Sequence, residues 1–140
     1  MSAVLDTNHF VALVAGGALA ERMNQRASET DTEFVTTIVT AQEVMQGWLT
    51  ALNRGRAGTE QVIAYDRFHR SLKDFQRITV LPFEAAAAAI FRSLVEQRIR
   101  IGTMDLKIAA ICMAHDATLL TRNLVDFEKV PGLRVENWLD

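Results

Sequence analysis

The stretch Val4-Leu5-Asp6-Thr7-Asn8, close to the start of the chain, carries the clearest structural signal in the sequence. An apolar run that stops at three polar residues is typical of a buried strand that ends at the carboxyl edge of a sheet, where open α/β folds bind their ligands. Asp6 is therefore the first candidate functional residue. A structural role is the alternative, because Asp and Asn side chains also accept hydrogen bonds from nearby backbone N–H groups at turns and helix starts.

The composition of the 140-residue chain is that of an ordinary globular protein, with 49% hydrophobic and 23% charged residues. We expect one domain over residues 1–140. A formal net charge of −2 argues against a protein that coats nucleic acid nonspecifically, although a local basic face or a bound metal ion is compatible with it. The single cysteine, Cys112, rules out an intramolecular disulfide and favours a reducing compartment. We see no secretory signal and no apolar run of membrane-spanning length, so we expect a soluble cytoplasmic protein without membrane association.

Strands and helices are predicted to alternate along the chain. The predicted strands cover residues 2–5, 34–39, 78–81, 117–121 and 133–135, and the predicted helices cover residues 8–15, 18–28, 41–53, 59–75, 84–98 and 105–115. This alternation predicts an α/β fold with a central, mostly parallel sheet of four to five strands flanked by helices. The two helices in the middle of the chain, separated by a break at residues 54–58, are expected to form a hairpin.

Acidic and amide side chains recur at corresponding ends of separate strand and helix units. Asp6 and Asn123 follow predicted strands, whereas Glu43, Asp105 and Asp126 lie near predicted helix starts. In a parallel sheet these two kinds of position converge on one edge. Carboxylates gathered there repel one another unless a hard divalent cation neutralises them. Oxygen ligands without paired His or Cys predict Mg²⁺ or Mn²⁺ rather than zinc.

The same residues also have structural interpretations. Thr40-Ala41-Gln42-Glu43 matches a capping box, in which Glu43 bonds back to the Thr40 N–H, and for Glu43 alone this interpretation is favoured. Asp105 also fits a helix cap, and Asn123 and Asp126 fit a turn and a first helical turn. The recurrence of such residues at corresponding ends of separate units favours the functional interpretation for the set.

Four motifs in order resemble those of a known family. They are Leu5-Asp6-Thr7-Asn8, Thr40-Ala41-Gln42-Glu43-Val44 with Gly47, Gly102-Thr103-Met104-Asp105-Leu106-Lys107-Ile108-Ala109, and Leu120-Thr121-Arg122-Asn123-Leu124-Val125-Asp126-Phe127 followed by Val130-Pro131-Gly132-Leu133. With these motifs the chain resembles the PIN-domain ribonucleases and, more narrowly, the VapC toxins of bacterial type II toxin–antitoxin pairs. The resemblance spans nearly the whole chain and implies a PIN-like three-layer fold.

The resemblance implies roles for individual residues. Asp6, Glu43 and Asp105 would be the carboxylates that hold Mg²⁺ or Mn²⁺. The family often has an acid two residues after the threonine of the fourth strand, where this chain has Asn123. The catalytic set would therefore be completed either by Asn123 through its carbonyl oxygen or by Asp126 through a water molecule.

The resemblance also implies an activity and partners. We expect a metal-dependent endoribonuclease that hydrolyses RNA phosphodiester bonds. The expected partners are an RNA substrate, a cognate antitoxin that obstructs the metal site, and a second copy of the chain in a homodimer. The segment at residues 130–138 resembles the subgroup that cuts initiator transfer RNA.

Residues beside the site and on the central helices are candidates for substrate binding. Thr7, Asn8 and His9 adjoin the first motif, and Arg54 and Arg56 lie in a central segment rich in basic residues that phosphates would attract. The alternative is a solvated helix face, because basic residues are common on exposed helices.

Two other classes of protein share part of this pattern. A haloacid-dehalogenase-like phosphatase also places an Asp after its first strand, but it needs a second carboxylate two residues later, where this chain has Asn8. A catalytically weak PIN module that acts by binding RNA or a partner is the other alternative. The missing fourth acid at Asn123 is the main argument for it.

Overall fold

The computed structural model describes residues 1–54 and 58–140, in which strands and helices alternate. In chain order these are β1 (Ser2–Leu5), α1 (Thr7–Ala15), α2 (Gly17–Glu29), β2 (Glu33–Thr37), α3 (Ile38–Arg54), α4 (Thr59–Gln76), β3 (Thr79–Leu81), α5 (Ala85–Glu96), α6 (Thr103–Ala114), β4 (Thr118–Leu120), α7 (Leu124–Phe127) and β5 (Val135–Glu136). The five strands form one sheet in the order β3-β2-β1-β4-β5, and every neighbouring pair is parallel. The α/β prediction is confirmed, and the sheet is parallel throughout.

The first strand lies at the centre of the sheet and sets the position of the site. Val4 pairs with Val35 of β2 on one side and with Leu119 of β4 on the other. Leu5 pairs with Leu120, so the residues that follow these two strands lie next to each other at the carboxyl edge. The apolar run at residues 3–5 is buried on both faces of the sheet, as expected for a central parallel strand.

Two apolar clusters cover the two faces of the sheet. Val4 and Leu119 belong to a cluster with the buried residues of α5 and α6, whereas Leu5 and Leu120 belong to a second cluster with Phe10 of α1. Alternate residues of a strand point to opposite faces, so β1 and β4 each join both clusters. The result is three layers, with the sheet between two layers of helices.

The sixth helix is buried on nearly every side, because it packs between the sheet and α5. Leu106 and all five residues at 108–112 are buried, and the last three of these have no exposed surface. A helix enclosed in this way has little freedom to shift. Its first turn, which carries Asp105, is therefore held in a fixed position relative to the sheet.

The clearest difference from the predicted elements lies between β2 and α3. The strand predicted over residues 34–39 ends at Thr37, and the helix begins at Ile38, three residues earlier than predicted. Thr37 Oγ1 accepts a hydrogen bond from the Thr40 backbone N–H at 3.1 Å, which is the geometry of a helix N-cap. The capping box predicted at Thr40 is therefore wrong, and Glu43 lies in the second turn of α3.

Other element boundaries differ from the predictions by one to a few residues. The first helix begins at Thr7, α6 begins at Thr103, and the last strand is Val135–Glu136 rather than residues 133–135. The hairpin of α3 and α4 is confirmed, because Trp48 Nε1 donates to Ser71 Oγ at 2.7 Å across the two helices. Residues 55–57 of the predicted break lie outside the described residues. No helix in the described part of the chain has both the length and the apolar character that crossing a membrane would require.

Candidate active site

A cavity of about 180 Å³ opens at the carboxyl edge of the sheet. Its walls come from the starts of α1 and α6, from α3, and from the segment that follows β4. The lining residues are Asp6, Thr7, Asn8, Glu43, Asp105, Ile108, Thr121, Asn123 and Phe127. The structure thus brings together four of the five predicted catalytic residues. The fifth, Asp126, does not line the cavity but bonds to a residue that does.

The carboxylate of Asp6 combines the two roles that the sequence left open. Asp6 is the N-cap of α1, and its Oδ1 accepts hydrogen bonds from the His9 backbone N–H at 2.9 Å and from His9 Nδ1 at 3.0 Å. Both bonds use the same oxygen. The helix-capping role is therefore real, and it leaves Oδ2 as the carboxylate oxygen available to the cavity.

The side chain of His9 is fully buried behind Asp6. Its Nε2 accepts the backbone N–H of Trp138 at 3.1 Å, on the last segment of the chain. Because the ring has no exposed surface, the predicted substrate contact of His9 is wrong. The ring contacts the back of the candidate site instead of its open side.

Glu43 is fixed by a residue from the start of α1. Thr7 Oγ1 donates to Glu43 Oε2 at 2.7 Å, which joins α1 to α3 at the cavity wall. The Thr7 hydroxyl is therefore engaged by Glu43, although Thr7 lines the cavity as predicted for a substrate contact. Glu43 Oε1 is the oxygen that this bond leaves available.

Negative charge accumulates around Asp105. The pKa of Asp105 is raised above its ordinary value, first by partial burial and then by the negative charges of Glu43, Asp126 and Asp6. Within residues 1–54 and 58–140, no three His, Cys, Asp or Glu side chains lie close enough together to form a ready-made metal site. The donor chemistry nevertheless fits a hard cation, because the groups that line the cavity are carboxylate, amide and hydroxyl oxygens.

Asn123 and Asp126 are bonded to each other, which gives them different positions. Asn123 Nδ2 donates to Asp126 Oδ2 at 3.0 Å, and Lys129 Nζ donates to Asp126 Oδ1 at 3.2 Å. These two bonds, the one from Asn123 first, hold the pKa of Asp126 below its ordinary value. Since the amide nitrogen of Asn123 faces Asp126, its carbonyl oxygen is the end that is not used by this bond. Asn123 lines the cavity, whereas Asp126 does not.

The remaining predicted substrate contacts divide into three cases. Asn8 is exposed and lines the cavity. Arg54 is exposed at the end of α3, eleven residues beyond Glu43, which is about 16 Å along a helix axis. It does not line the cavity. Arg56 lies outside the described residues.

Sequence reasoning missed two contributions to this site. Thr121 lines the cavity, is fully buried, and its Oγ1 accepts the Asn123 backbone N–H at 3.0 Å. Its position directly after β4, which matches that of Asp6 after β1, was a signal for it. The contact between His9 and Trp138 joins residues 129 positions apart, and no local pattern predicts it.

The chain belongs to the PIN-domain family, since the family model for the PIN domain matches residues 3–133. Ribonuclease VapC from Rickettsia bellii is 28% identical over 140 residues, covering 96% of this chain and 95% of that protein. The tRNA(fMet)-specific endonuclease VapC from Salmonella typhimurium is 30% identical over 86 residues, covering 58% of this chain and 65% of that protein. The family resemblance seen in the motifs is confirmed.

The fold is also that of a solved structure. In the crystal structure of VapBC2 from Rickettsia felis bound to a DNA fragment from their promoter, a chain superimposes with a TM-score of 0.75 and 24% sequence identity. The match covers 99% of this chain and 99% of that chain. At this level of identity the likeness shows the fold, and the expected PIN-like three-layer architecture is thereby confirmed.

Proposed function

We propose that the protein is a Mg²⁺- or Mn²⁺-dependent endoribonuclease and the toxin component of a type II toxin–antitoxin pair. One observation carries this proposal. Three carboxylates from three separate segments, those of Asp6, Glu43 and Asp105, line one cavity at the carboxyl edge of a PIN-domain sheet. The likeness to VapC ribonucleases supports the choice of RNA as substrate.

We assign the divalent ion to the carboxylates of Asp6, Glu43 and Asp105, with the carbonyl oxygen of Asn123 in the fourth position. When bound, such an ion lowers the pKa of a water molecule and stabilises the charge that develops on the phosphoryl oxygens. Asp126 then serves as a positioning residue, since its bond to Asn123 Nδ2 turns the amide oxygen of Asn123 away from it.

The chain holds two of these proposed ligands in place before an ion binds. Asp6 Oδ1 is fixed by two bonds from His9, and Glu43 Oε2 is fixed by Thr7. Each carboxylate therefore presents its other oxygen to the cavity. In this assignment Glu43 Oε1 is the oxygen that faces the ion, and exposed Asn8 contacts the phosphodiester beside the cleaved bond.

The proposed substrate is a structured RNA, with initiator transfer RNA as the specific candidate. The likeness to a tRNA(fMet)-specific endonuclease supports this candidate. The formal net charge of −2 favours a focused contact at the metal site over broad electrostatic binding of the RNA backbone.

An Asp6→Asn variant tests the activity, with Asp31→Asn as the matched control. Asp31 is exposed, precedes β2 and so lies away from the carboxyl edge, and has a positive φ of 50° that asparagine tolerates. Purified proteins are incubated with cellular RNA and Mg²⁺ or Mn²⁺. We expect cleavage by the wild type and Asp31→Asn, and at least about a hundredfold slower cleavage by Asp6→Asn, because ligand loss removes the ion's contribution. Equal cleavage by all three proteins would refute the proposal.

The proposed partners are a cognate antitoxin and a second copy of this chain, acting in the cytoplasm. The likeness to a chain of a VapBC2 structure supports the antitoxin, whereas the homodimer rests on the family resemblance alone. Expression of the chain alone should arrest growth of the native host, and co-expression of the small protein encoded beside it should relieve the arrest. Absence of toxicity in that host would contradict the toxin role.

A catalytically weak PIN module is the second candidate function, and Asn123 is the observation that favours it. This amide stands at the cavity where the family often has an acid. Calorimetric titration with Mn²⁺ separates the two candidates: the enzyme binds the ion, and the module binds none with or without RNA. The family match leaves the phosphatase alternative without support.

A further inference from the structure

A buried histidine connects the proposed metal ligand Asp6 to the last segment of the chain. The His9 ring is fully buried, with Nδ1 at 3.0 Å from Asp6 Oδ1 and Nε2 at 3.1 Å from the backbone nitrogen of Trp138. We propose that His9 is a positioning residue for Asp6, and that the Trp138 backbone N–H fixes the histidine tautomer that allows it. This inference rests on the proposed function, because it takes Asp6 to be a ligand of the divalent ion.

The tautomer follows from what each group is able to donate. A backbone N–H only donates, so His9 Nε2 must accept the bond from Trp138 and carries no hydrogen. The hydrogen of the neutral ring is then on Nδ1, where it donates to Asp6 Oδ1. The order of donation therefore runs from Trp138 through His9 to Asp6.

The bond from the ring completes the set that holds Asp6. Oδ1 already accepts the backbone N–H of His9 at 2.9 Å as the cap of α1, and the ring adds a second donor from the same residue. Two donors on Oδ1 fix the plane of the carboxylate, which leaves Oδ2 oriented for an ion. Partners of this kind orient metal ligands, and losing one typically costs about 10- to 100-fold in metal affinity.

The backbone N–H of Trp138 has a fixed position because the side chain of Trp138 packs against other elements of the fold. The indole ring packs edge-on against Phe34 with centroids 5.6 Å apart, and the Arg26 guanidinium lies 4.4 Å from the ring centroid. The indole nitrogen, Trp138 Nε1, donates to Glu136 Oε1 at 3.3 Å. Trp138 and Leu139 are both buried. The segment after β5 is therefore packed well enough to hold one N–H in a fixed position behind the site.

Two substitutions of His9 separate its two nitrogens. His9→Asn keeps an amide nitrogen at the δ position, where it donates to Asp6, but has nothing at the ε position. His9→Gln places its amide at the ε position, where its oxygen accepts the Trp138 N–H, but it loses the δ donor. Both variants lose the same buried ring, so a merely structural role predicts equal effects on metal binding.

The test measures Mn²⁺ binding by the full-length wild type, His9→Asn and His9→Gln, from the electron paramagnetic resonance signal of free Mn²⁺. Thermal unfolding of each metal-free protein is recorded alongside. We expect His9→Asn to bind within about threefold of the wild type and His9→Gln to bind at least about tenfold more weakly. Wild-type affinity in His9→Gln, or equal weakening in both folded variants, overturns the inference and leaves the proposed function intact.

A second measurement does not depend on the variants. Long-range ¹H–¹⁵N NMR spectra of the metal-free wild type identify the protonated nitrogen of each histidine ring. We expect the hydrogen of His9 on Nδ1, and a hydrogen on Nε2 overturns the inference even if both variants fail to fold. A wild type that binds no Mn²⁺ refutes the proposed function, and this inference is refuted with it.

Discussion

At the scale of single residues, two of the site carboxylates use one oxygen for hydrogen bonds within the protein and keep the other oxygen unused. Asp6 uses Oδ1 to cap α1 and to bind His9, and Glu43 uses Oε2 to bind Thr7. Each is thus held by the protein through one oxygen, and the other oxygen is not used by these bonds. A structural and a catalytic role for one carboxylate are therefore compatible here, and the caps help to orient the ligands.

The bond between Thr7 and Glu43 gives a prediction at this scale. Thr7→Val removes the hydroxyl and keeps the shape of the side chain, so Glu43 loses its orienting donor at 2.7 Å. A hydrogen bond to a charged group contributes about 1.5–3 kcal/mol, so we expect RNA cleavage roughly 10- to 100-fold slower. Thr7→Ser keeps the hydroxyl and should stay close to wild type. Equal rates for the valine and serine variants, measured under single-turnover conditions, would contradict the assigned role of Thr7.

Most of the site was predictable at the residue scale because it obeys the geometry of a parallel sheet. Asp6 lies at a strand end and Asp105 in the first turn of a helix, as the sequence predicts, and both line the cavity. Glu43 also lines it, but from the second turn of α3 rather than from the predicted helix start. The substrate contact predicted for His9 was wrong because adjacency in sequence says nothing about which face of α1 a side chain occupies. Asn123 and Asp126 were indistinguishable in sequence, and the bond between them now gives them different positions.

At the scale of elements, the start of α3 determines what Glu43 does. The β-branched residues Ile38 and Val39 favour a strand by propensity, yet they form the first turn of the helix because Thr37 caps it and Val39 is buried in the core. The helix therefore starts before Thr40, and Glu43 is not needed for its N-terminus. The carboxylate is free to bond Thr7 across the cavity wall.

Two valine substitutions test where α3 is capped. Thr37 and Thr40 are both fully buried, and valine preserves the shape of each. Thr37→Val removes the acceptor of the Thr40 N–H, so we expect it to lower the free energy of unfolding by about 1 kcal/mol. Thr40→Val loses only a weak bond at 3.4 Å between the two hydroxyls and should cost less. Urea denaturation measures the free energy of unfolding of both variants. A larger loss for Thr40→Val than for Thr37→Val would mean that Thr40, and not Thr37, caps the helix.

At the scale of the whole molecule, the ionised carboxylate of Asp105 lowers the stability of the folded protein. The raised pKa of Asp105 means that its charged form is disfavoured in the folded protein, first by burial and then by nearby negative charge. A carboxyl group whose folded-state pKa is raised destabilises the fold at pH values where it is ionised, and protonation at lower pH relieves this cost. A bound divalent cation would relieve the repulsive part of the same cost at neutral pH.

Asp105→Asn is therefore expected to stabilise the metal-free protein while removing its response to metal. The gain should be at most about 1 kcal/mol, because the side chain is partly exposed and solvent screens the repulsion. Mg²⁺ should raise the unfolding temperature of the wild type and of the control Asp31→Asn, since a ligand of the native state stabilises it, but should not raise that of Asp105→Asn. Calorimetric scans in EDTA and in Mg²⁺ measure the unfolding temperatures of the three proteins without and with the ion. A destabilised variant that still responds to Mg²⁺ would contradict the assignment.

The sequence predicts the topology of the sheet, but it does not predict the contacts between residues that are far apart in the chain. Alternating strands and helices require right-handed crossovers in a parallel sheet, and five parallel strands in three layers are found. The packing of residues 137–140 behind the site was not predictable, because it depends on a contact between Trp138 and His9 at opposite ends of the chain. Such a contact follows from the finished packing of the fold and from no local pattern.

Sequencing of RNA 5′ ends in cells, after induction of the wild type, Asp31→Asn and Asp6→Asn, tests whether the acidic cavity is a ribonuclease site. If the acidic cavity cleaves RNA, the wild type and Asp31→Asn produce new 5′ ends at one or a few defined positions, and Asp6→Asn produces none. The same new ends in cells that express Asp6→Asn, or growth arrest by the wild type without any new ends, would contradict it.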